Sequence, residues 1–213
     1  ANRTRKDHII TIEDPVEFVH TSQSCIVNHR EVGRHSKSFT SALRGALRED
    51  PDIILVGELR DLETISLAVE AASTGHLVFA TLHTTSAAKS VDRIIEVFPA
   101  SEQMQIRSTL ADGLRAIIAQ VLFKRIDKQG RCAALEILIA NPAVRNLIRE
   151  SKTFQIPSMM QTGKKYGMQL LDDAIMELLT KGWISGDEAY MKANDKQRFR
   201  QFLKNPPTDF TEA

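Results

Sequence analysis

Short apolar runs alternate with amphipathic helical segments in the first part of the chain. The apolar runs occupy residues 8–12, 52–58 and 76–82, and the helical patterns occupy residues 39–49 and 62–73. Apolar runs of this length are typical of strands buried on both faces, and strands that alternate with helices form βαβ units. The pattern therefore predicts an α/β fold, with a parallel sheet and flanking helices.

Each apolar run ends in titratable side chains. Glu58 closes the second run, Glu13, Asp14 and Glu17 follow the first, and His83 follows the third. Right-handed crossovers bring the carboxyl ends of parallel strands to one edge of the sheet, where nucleotide-hydrolysing α/β proteins hold magnesium or polarise water. We expect Glu17, Glu58 and His83 to meet there. The competing interpretation of Glu58 is a solvated strand end.

The pattern changes near residue 140. Before this point, two apolar segments around a turn at residues 127–130 predict a hairpin, with strands at 120–126 and 131–139. After it, the pattern is helical, with start signals at Asn141-Pro142 and in the capping box Ser185–Glu188 and an apolar face over residues 168–179. We predict a core domain at residues 1–140, a helical subdomain at 141–204 and a disordered tail at 205–213.

Charge and composition exclude several classes of protein. The 28 basic and 27 acidic residues nearly cancel, and aromatic residues do not alternate with basic ones, so we expect no nucleic-acid partner. The chain has no apolar stretch long enough to cross a bilayer. The two cysteines, Cys25 and Cys132, lie too far apart in sequence for a metal motif, which favours reduced thiols in the cytoplasm.

A phosphate-binding loop is missing from the sequence. Such a loop needs glycines before its Lys and Ser/Thr, and neither Lys37-Ser38 nor Lys89-Ser90 has them. The chain also begins without Met, shortly before a fully formed core strand. We therefore expect the later part of a longer protein, and we expect the 213 residues alone to bind ATP weakly or not at all and to show no measurable turnover.

Four segments, in order, resemble motifs of the secretion-type ATPase superfamily. Residues 12–18 resemble its aspartate box, residues 52–61 its atypical Walker B segment, and residues 75–84 its histidine box. The fourth resembles a signature of the branch that retracts type IV pili, and it consists of Ala143, Val144, Arg145, Asn146, Leu147, Ile148, Arg149 and Glu150.

The resemblance implies a RecA-like ATPase core that uses ATP and Mg²⁺ and assembles as a homo-hexamer. It implies a motor that drives pilus retraction, and hence twitching motility. The implied partners are an inner-membrane platform protein and the type IV pilus machinery. The implied location is the cytoplasm, at the inner membrane through those partners.

The family pattern also assigns roles to the residues at the strand ends. Glu17 would orient or deprotonate the attacking water, with Glu13 and Asp14 as secondary candidates. Glu58 would bind Mg²⁺, since Gly57 stands where an ordinary Walker B segment has Asp. His83 would detect the γ-phosphate. On chemistry alone, the acids could instead shape the turn around Pro15, and His83 could be structural.

Two questions stay open from the sequence. The apolar stripe of residues 143–150 fits a buried helix, but the same helix could transmit ring motion to the pilus or platform. The alternative functions are a pilus-assembly or type II secretion ATPase, whose zinc module needs CxxC pairs absent here, and a nucleic-acid translocase or non-catalytic RecA-like module.

Overall fold

A computed structural model describes residues 1–204, and the predicted tail at 205–213 lies outside the described residues. The chain forms two compact units. The first comprises Ala1–His83, Asp92–Leu114 and Ile148–Ser151. The second comprises Thr84–Val91, Arg115–Leu147 and the described residues from Lys152 onward.

The first unit is built on a parallel sheet. Its elements are β1 (His8–Glu13), β2 (Ile26–Glu31), α1 (Phe39–Ala46), β3 (Ile53–Val56), α2 (Leu62–Ser73), β4 (Leu77–Ala80), α3 (Ala87–Glu96) and α4 (Ala100–Gly113). The first residues of α3, up to Val91, belong to the second unit. The strand order is β2-β1-β3-β4, and every neighbouring pair is parallel. The predicted α/β class is confirmed.

The core of this unit follows the apolar pattern in β1 and β3 but not in β4, whose Leu77 and Phe79 are exposed. Ile10 and Ile12 of β1 and Ile54 and Val56 of β3 are fully buried, and they pack against the small or branched side chains of α1 and α2. Asp61 accepts a hydrogen bond from the backbone amide of Thr64 at 2.9 Å, which caps the start of α2. The helix therefore begins at the residue where the sequence predicts it.

The second unit joins a two-stranded antiparallel sheet to helices. Its elements are β5 (Ala116–Lys124), β6 (Arg131–Ile139), α5 (Pro142–Arg149, whose last two residues belong to the first unit), α6 (Ile156–Thr162), α7 (Leu171–Thr180), α8 (Gly186–Lys192) and α9 (Lys196–Phe199), with 3₁₀ turns at Thr153–Gln155, Lys164–Tyr166 and Arg200–Phe202. The hairpin is present, although β5 begins four residues earlier than predicted.

The hairpin packs with the carboxyl-terminal helices. Phe123 and Ala134, one from each strand, share a buried cluster with Leu171, Ile175 and Phe199. The hairpin therefore packs in the same core as the helices that follow residue 140. The domain boundary at residue 140 stays a prediction.

The start of α7 corrects one expectation. The apolar pattern predicts a helix from residue 168, but the helix begins at Leu171. Gln169 is held in an extended conformation instead, because its backbone exchanges two hydrogen bonds, of 2.8 and 2.9 Å, with Ile137 of β6. Met168 is still buried, so the buried positions predicted for this segment begin before the first residue of α7.

A buried carboxylate holds the start of two helices in the second unit. Glu136 of β6 is 5% exposed, and its Oε1 accepts a hydrogen bond from the backbone amide of Ala87 at 2.7 Å. Its Oε2 accepts one from the amide of Leu171 at 3.4 Å. Ala87 and Leu171 are the first residues of α3 and α7, where backbone amides lack partners within the helix and a negative charge is favourable.

We predict that Glu136→Ala lowers the free energy of unfolding by about 2–4 kcal/mol, because two buried amides lose their acceptor. Urea unfolding followed by circular dichroism measures the change. The control is Glu177→Ala, which removes an exposed ion pair with Lys181 on α7 and should cost about 0.5 kcal/mol or less. Equal losses in the two variants would contradict a special role for Glu136.

Candidate active site

The candidate site lies along the carboxyl edge of the parallel sheet. In the last paired row, Ile12 of β1 lies beside Val56 of β3, and Val56 lies beside Ala80 of β4. The chain then continues into Glu13, into Gly57-Glu58 and into the segment that ends at His83. The register therefore places three of the sequence-predicted segments at one edge.

Glu58 and His83 are in contact at this edge. His83 Nε2 lies 2.9 Å from Glu58 Oε1, and the His83 side chain is 84% exposed. Arg60 donates from Nε to the other carboxylate oxygen of Glu58 at 2.5 Å. The pairing brings two of the three principal predicted residues together and leaves the imidazole open to solvent.

The electrostatics of Glu58 follow from these neighbours. The hydrogen bond from Arg60 is the main cause that holds the pKa of the Glu58 carboxyl below its ordinary value, and His83 acts in the same direction. Partial burial of the carboxyl opposes them. Glu58 is therefore a carboxylate at neutral pH, positioned between two basic side chains.

The loops after β3 and β4 are tied together beside Glu58. The Leu59 amide donates to the carbonyl of Thr81 at 3.0 Å, and the Thr81 hydroxyl donates to the carbonyl of Gly57. These bonds fix the backbone on both sides of Glu58.

Gly57 has a steric reason to be glycine. A Cβ at this position would lie 3.1 Å from the Ile12 carbonyl oxygen and 3.2 Å from Glu13 Cα. Both are backbone atoms of β1, which the sheet holds in place, so they have little room to move. The close approach disfavours the aspartate of an ordinary Walker B segment, and Glu58 is the first acidic side chain after β3.

Glu13 faces β2. Its Oε1 lies 3.9 Å from Nδ1 of His29, and this oxygen is buried with no hydrogen-bond partner among residues 1–204. Asp14 is exposed and precedes Pro15 through a cis peptide bond. The secondary candidates thus differ, since Glu13 is largely enclosed and Asp14 is open to solvent.

Glu17 is exposed on the segment between β1 and β2. Within the described residues, no hydrogen bond or ion pair joins it to Glu58 or His83. The residue before it is bound to β2, because the backbone amide of Val16 donates to Glu31 Oε2 at 3.3 Å. The meeting of Glu17 with the other two residues stays a prediction.

Sequence reasoning missed Arg60, His29 and Glu31. Arg60 lies two residues after Glu58, a spacing that by itself indicates only a surface charge. His29 and Glu31 belong to β2, whose six residues, Ile26–Glu31, are mostly polar and give no apolar run. Its burial pattern alternates only over the first four residues, and the sequence IVNHRE has no regular apolar–polar alternation that would have predicted this strand.

The pilus-retraction signature lies on and just after α5. Val144 and Ile148 are fully buried, whereas Ala143, which the apolar stripe would bury, is exposed. Arg145 Nε donates to the carbonyl of Ala140 at 3.0 Å, and Arg149 forms an ion pair with Asp112. The helix is therefore packed on one face, and its two arginines have partners within the chain.

Among residues 1–204 no helix is long and apolar enough to cross a membrane. In the same range, no three or more His, Cys, Asp or Glu side chains are grouped so that they could hold a metal ion. A cation at Glu58 would therefore need further ligands from outside this set.

Known proteins with similar sequences and structures carry secretion and pilus functions. The family model "Type II/IV secretion system protein" matches residues 2–205. The chain is 58% identical to the type IV pilus retractation ATPase PilT of Pseudomonas aeruginosa, over 93% of this chain and 57% of that protein. It is 56% identical to a twitching motility protein of Neisseria gonorrhoeae, over 92% of this chain and 52% of that protein.

A solved structure described as the pilus retraction motor PilT with bound ADP has the same fold. It aligns with a TM-score of 0.86 and 47% identity, covering 92% of this chain and 55% of that one. The chain thus spans about half the length of the relatives it matches.

We predict that Arg60→Ala raises the pKa of Glu58 toward the ordinary glutamate value, because the main stabilising partner of the carboxylate is lost. A carboxyl ¹³C NMR titration measures this shift. Arg44→Ala, which removes an ion pair with Glu63 elsewhere in the first unit, is the control and should leave the Glu58 titration unchanged.

The lowered pKa of Glu58 determines how the contribution of the Arg60–Glu58 pair to folding stability changes with pH. The pairing stabilises the fold at pH values above the unfolded-state pKa of glutamate, and its contribution is lost as pH falls through the folded-state pKa. The stability difference between wild type and Arg60→Ala should therefore shrink in acid. An identical Glu58 titration in both proteins would rule out the Arg60 contact as its cause.

Proposed function

The chain belongs to the type II/IV secretion system protein family, and from that membership we propose that it acts in an ATP-hydrolysing motor that retracts type IV pili. The observation that carries the proposal is the Glu58–His83 pair at the carboxyl edge of the sheet. This edge is where parallel α/β folds bind nucleotides. The identity with pilus-retraction relatives supports the same assignment.

Glu58 fits a role toward magnesium. Its carboxylate is ionised and largely enclosed, at 19% exposure, and carboxylate oxygen is the ligand that a hard cation prefers. Mg²⁺ usually keeps phosphate oxygens and waters as its other ligands, which agrees with a single protein carboxylate at this position. When bound, the cation would neutralise negative charge on the phosphates during transfer.

His83 and Glu17 complete the proposed machinery. His83 can donate a hydrogen bond to a terminal phosphate in one of two ways, from Nε2 after it leaves Glu58 or from Nδ1 as an imidazolium that keeps its contact with Glu58. Glu17 would accept a proton from the attacking water or orient it for in-line attack. Arg60 would hold the Glu58 carboxylate in place before nucleotide binds, and it would then compete with the magnesium ion for that carboxylate.

Hydrolysis in this proposal needs a phosphate cradle that the 213 residues do not supply. No segment has the Gly-x-x-x-x-Gly-Lys-Ser/Thr spacing. We place that loop elsewhere in the full-length motor, which we propose to be a homo-hexamer in the cytoplasm. It would meet the inner membrane through a platform protein of the pilus machinery.

The first test is Glu17→Gln in the motor assembled from the full-length protein. We expect kcat for ATP hydrolysis to fall by about 10²-fold or more, because the amide cannot accept the proton of the attacking water. ATP affinity should stay within about threefold, since Glu17 acts on water and not on the nucleotide. Glu70→Gln, an exposed change on α2, is the control. Unchanged hydrolysis by Glu17→Gln would exclude Glu17 as the residue that activates water.

The second test separates hydrolysis from movement. Arg145→Ala with Arg149→Ala should leave the ATPase rate within about twofold of wild type and abolish pilus retraction, if the α5 helix transmits ring motion. The exposed Arg149–Asp112 pair contributes only about 1 kcal/mol or less to stability, so the fold should persist.

Asp112→Ala is the matched control, since it removes the same ion pair but keeps both arginines. We expect this variant to retract pili normally in a twitching assay. Equal loss of hydrolysis and retraction in the double variant would contradict separate roles.

A further inference from the structure

The segment that bears Glu17 is fastened to β2 at two points. The backbone amide of Val16 donates to Glu31 Oε2 at 3.3 Å. Four residues later, the backbone of His20 meets His29, whose Nε2 lies 3.1 Å from both the amide nitrogen and the carbonyl oxygen of His20. The ring can therefore bind His20 in either tautomer. Glu17 lies between the two attachments.

Both attachments come from one face of a paired strand. Glu31 and His29 are two residues apart on β2, so their side chains project to the same side of the sheet. β2 pairs in parallel with β1, with Thr11 beside His29 and Glu13 beside Glu31. The attachment points are therefore set by the sheet register and not by the loop itself.

His29 is held in place by its own neighbours. Its Nδ1 lies 2.9 Å from the hydroxyl of Thr11, a residue that is 1% exposed. The ring also stacks on His20, with centroids 6.0 Å apart and planes inclined by 20°. A buried hydroxyl on one side and a stacked ring on the other leave the imidazole few alternative rotamers.

We propose that Glu31 and His29 are positioning residues for Glu17, an inference that rests on the proposed function. Glu17 is exposed, so its carboxylate is placed by the backbone of residues 16–20. Ordering an exposed loop costs conformational entropy at every residue, and two side-chain anchors on a strand provide that order before the reaction. A displacement of about 1 Å at a reacting group is enough to slow an enzyme by about 10²-fold.

The test uses ATP hydrolysis by the full-length motor, with ATP as the probe. We expect Glu31→Ala to lower kcat by about 10- to 100-fold while the KM for ATP stays within about twofold, because the anchors act on Glu17 and not on the nucleotide. Glu31→Gln keeps an acceptor oxygen and should recover kcat to within about threefold of wild type. His29→Ala should also lower kcat when Glu31 is intact, because it removes the second anchor, at His20.

A double-mutant cycle distinguishes positioning from general destabilisation. If Glu31 acts through Glu17, the variant with Glu17→Gln and Glu31→Ala should hydrolyse ATP no more slowly than Glu17→Gln alone. Asn28→Ala is the control, because the Asn28 side chain, next to His29 in β2, projects to the opposite face of the sheet and contacts His8 at the start of β1. It should leave kcat unchanged. Hydrogen exchange should show faster amide exchange at residues 16–20 in Glu31→Ala and no change there in Asn28→Ala.

The outcomes separate this proposal from the function it rests on. If Glu17→Gln hydrolyses ATP normally, the role of Glu17 is wrong, and the positioning proposal is overturned with it. If Glu17→Gln is inactive but Glu31→Ala and His29→Ala keep wild-type kcat, the motor function stands and the positioning proposal is wrong. Additive losses in the double variant would also overturn it. Should Glu31→Ala fail to fold, His29→Ala decides by the same kcat criterion.

Discussion

The parallel register of β1, β3 and β4 is the constraint on which the candidate site depends. Pairing Ile12 with Val56 and Val56 with Ala80 brings the next residues of all three strands to one edge, although up to about 70 residues of sequence separate them. Gly57 permits this approach, because a side chain there would press on the backbone of β1. Glu58 and His83 meet as a consequence of the register, and the bonds between the loops after β3 and β4 keep them there.

Carboxylates in the two units are stabilised in different ways, and the difference indicates different roles. Glu136 is enclosed and accepts only backbone amides, which cannot move without unfolding helix ends. Glu58 is paired with two side chains, Arg60 and His83, that are more than half exposed and can rearrange when a ligand arrives. Fixed backbone partners suit a structural carboxylate, whereas exposed basic side chains can be displaced from Glu58 by a cation, as the proposed function requires.

Sequence pattern predicted the parts of the structure that local chemistry determines. The buried β1 and β3, the helix α2 over residues 62–73, and the Ser185 cap of α8 all appear where the pattern places them. It failed where a distant contact decides. β2 is a polar edge strand that forms by pairing with β1, and residues 168–170 are kept out of α7 by Ile137. Glu58 and His83 were predictable as strand-end residues, but Arg60, His29 and Glu31 matter through contacts that no local pattern records.

The most direct measurement of the central claim is a crystal structure of the full-length protein with Mg²⁺ and a non-hydrolysable ATP analogue. We predict that the terminal phosphate lies at the carboxyl edge of the sheet, with Glu58 on the magnesium side, His83 within about 3 Å of a γ-phosphate oxygen, and Glu17 one water away from the phosphorus. A nucleotide bound away from this edge, or Glu17 directed away from the phosphate with Glu58 still paired to Arg60, would contradict it.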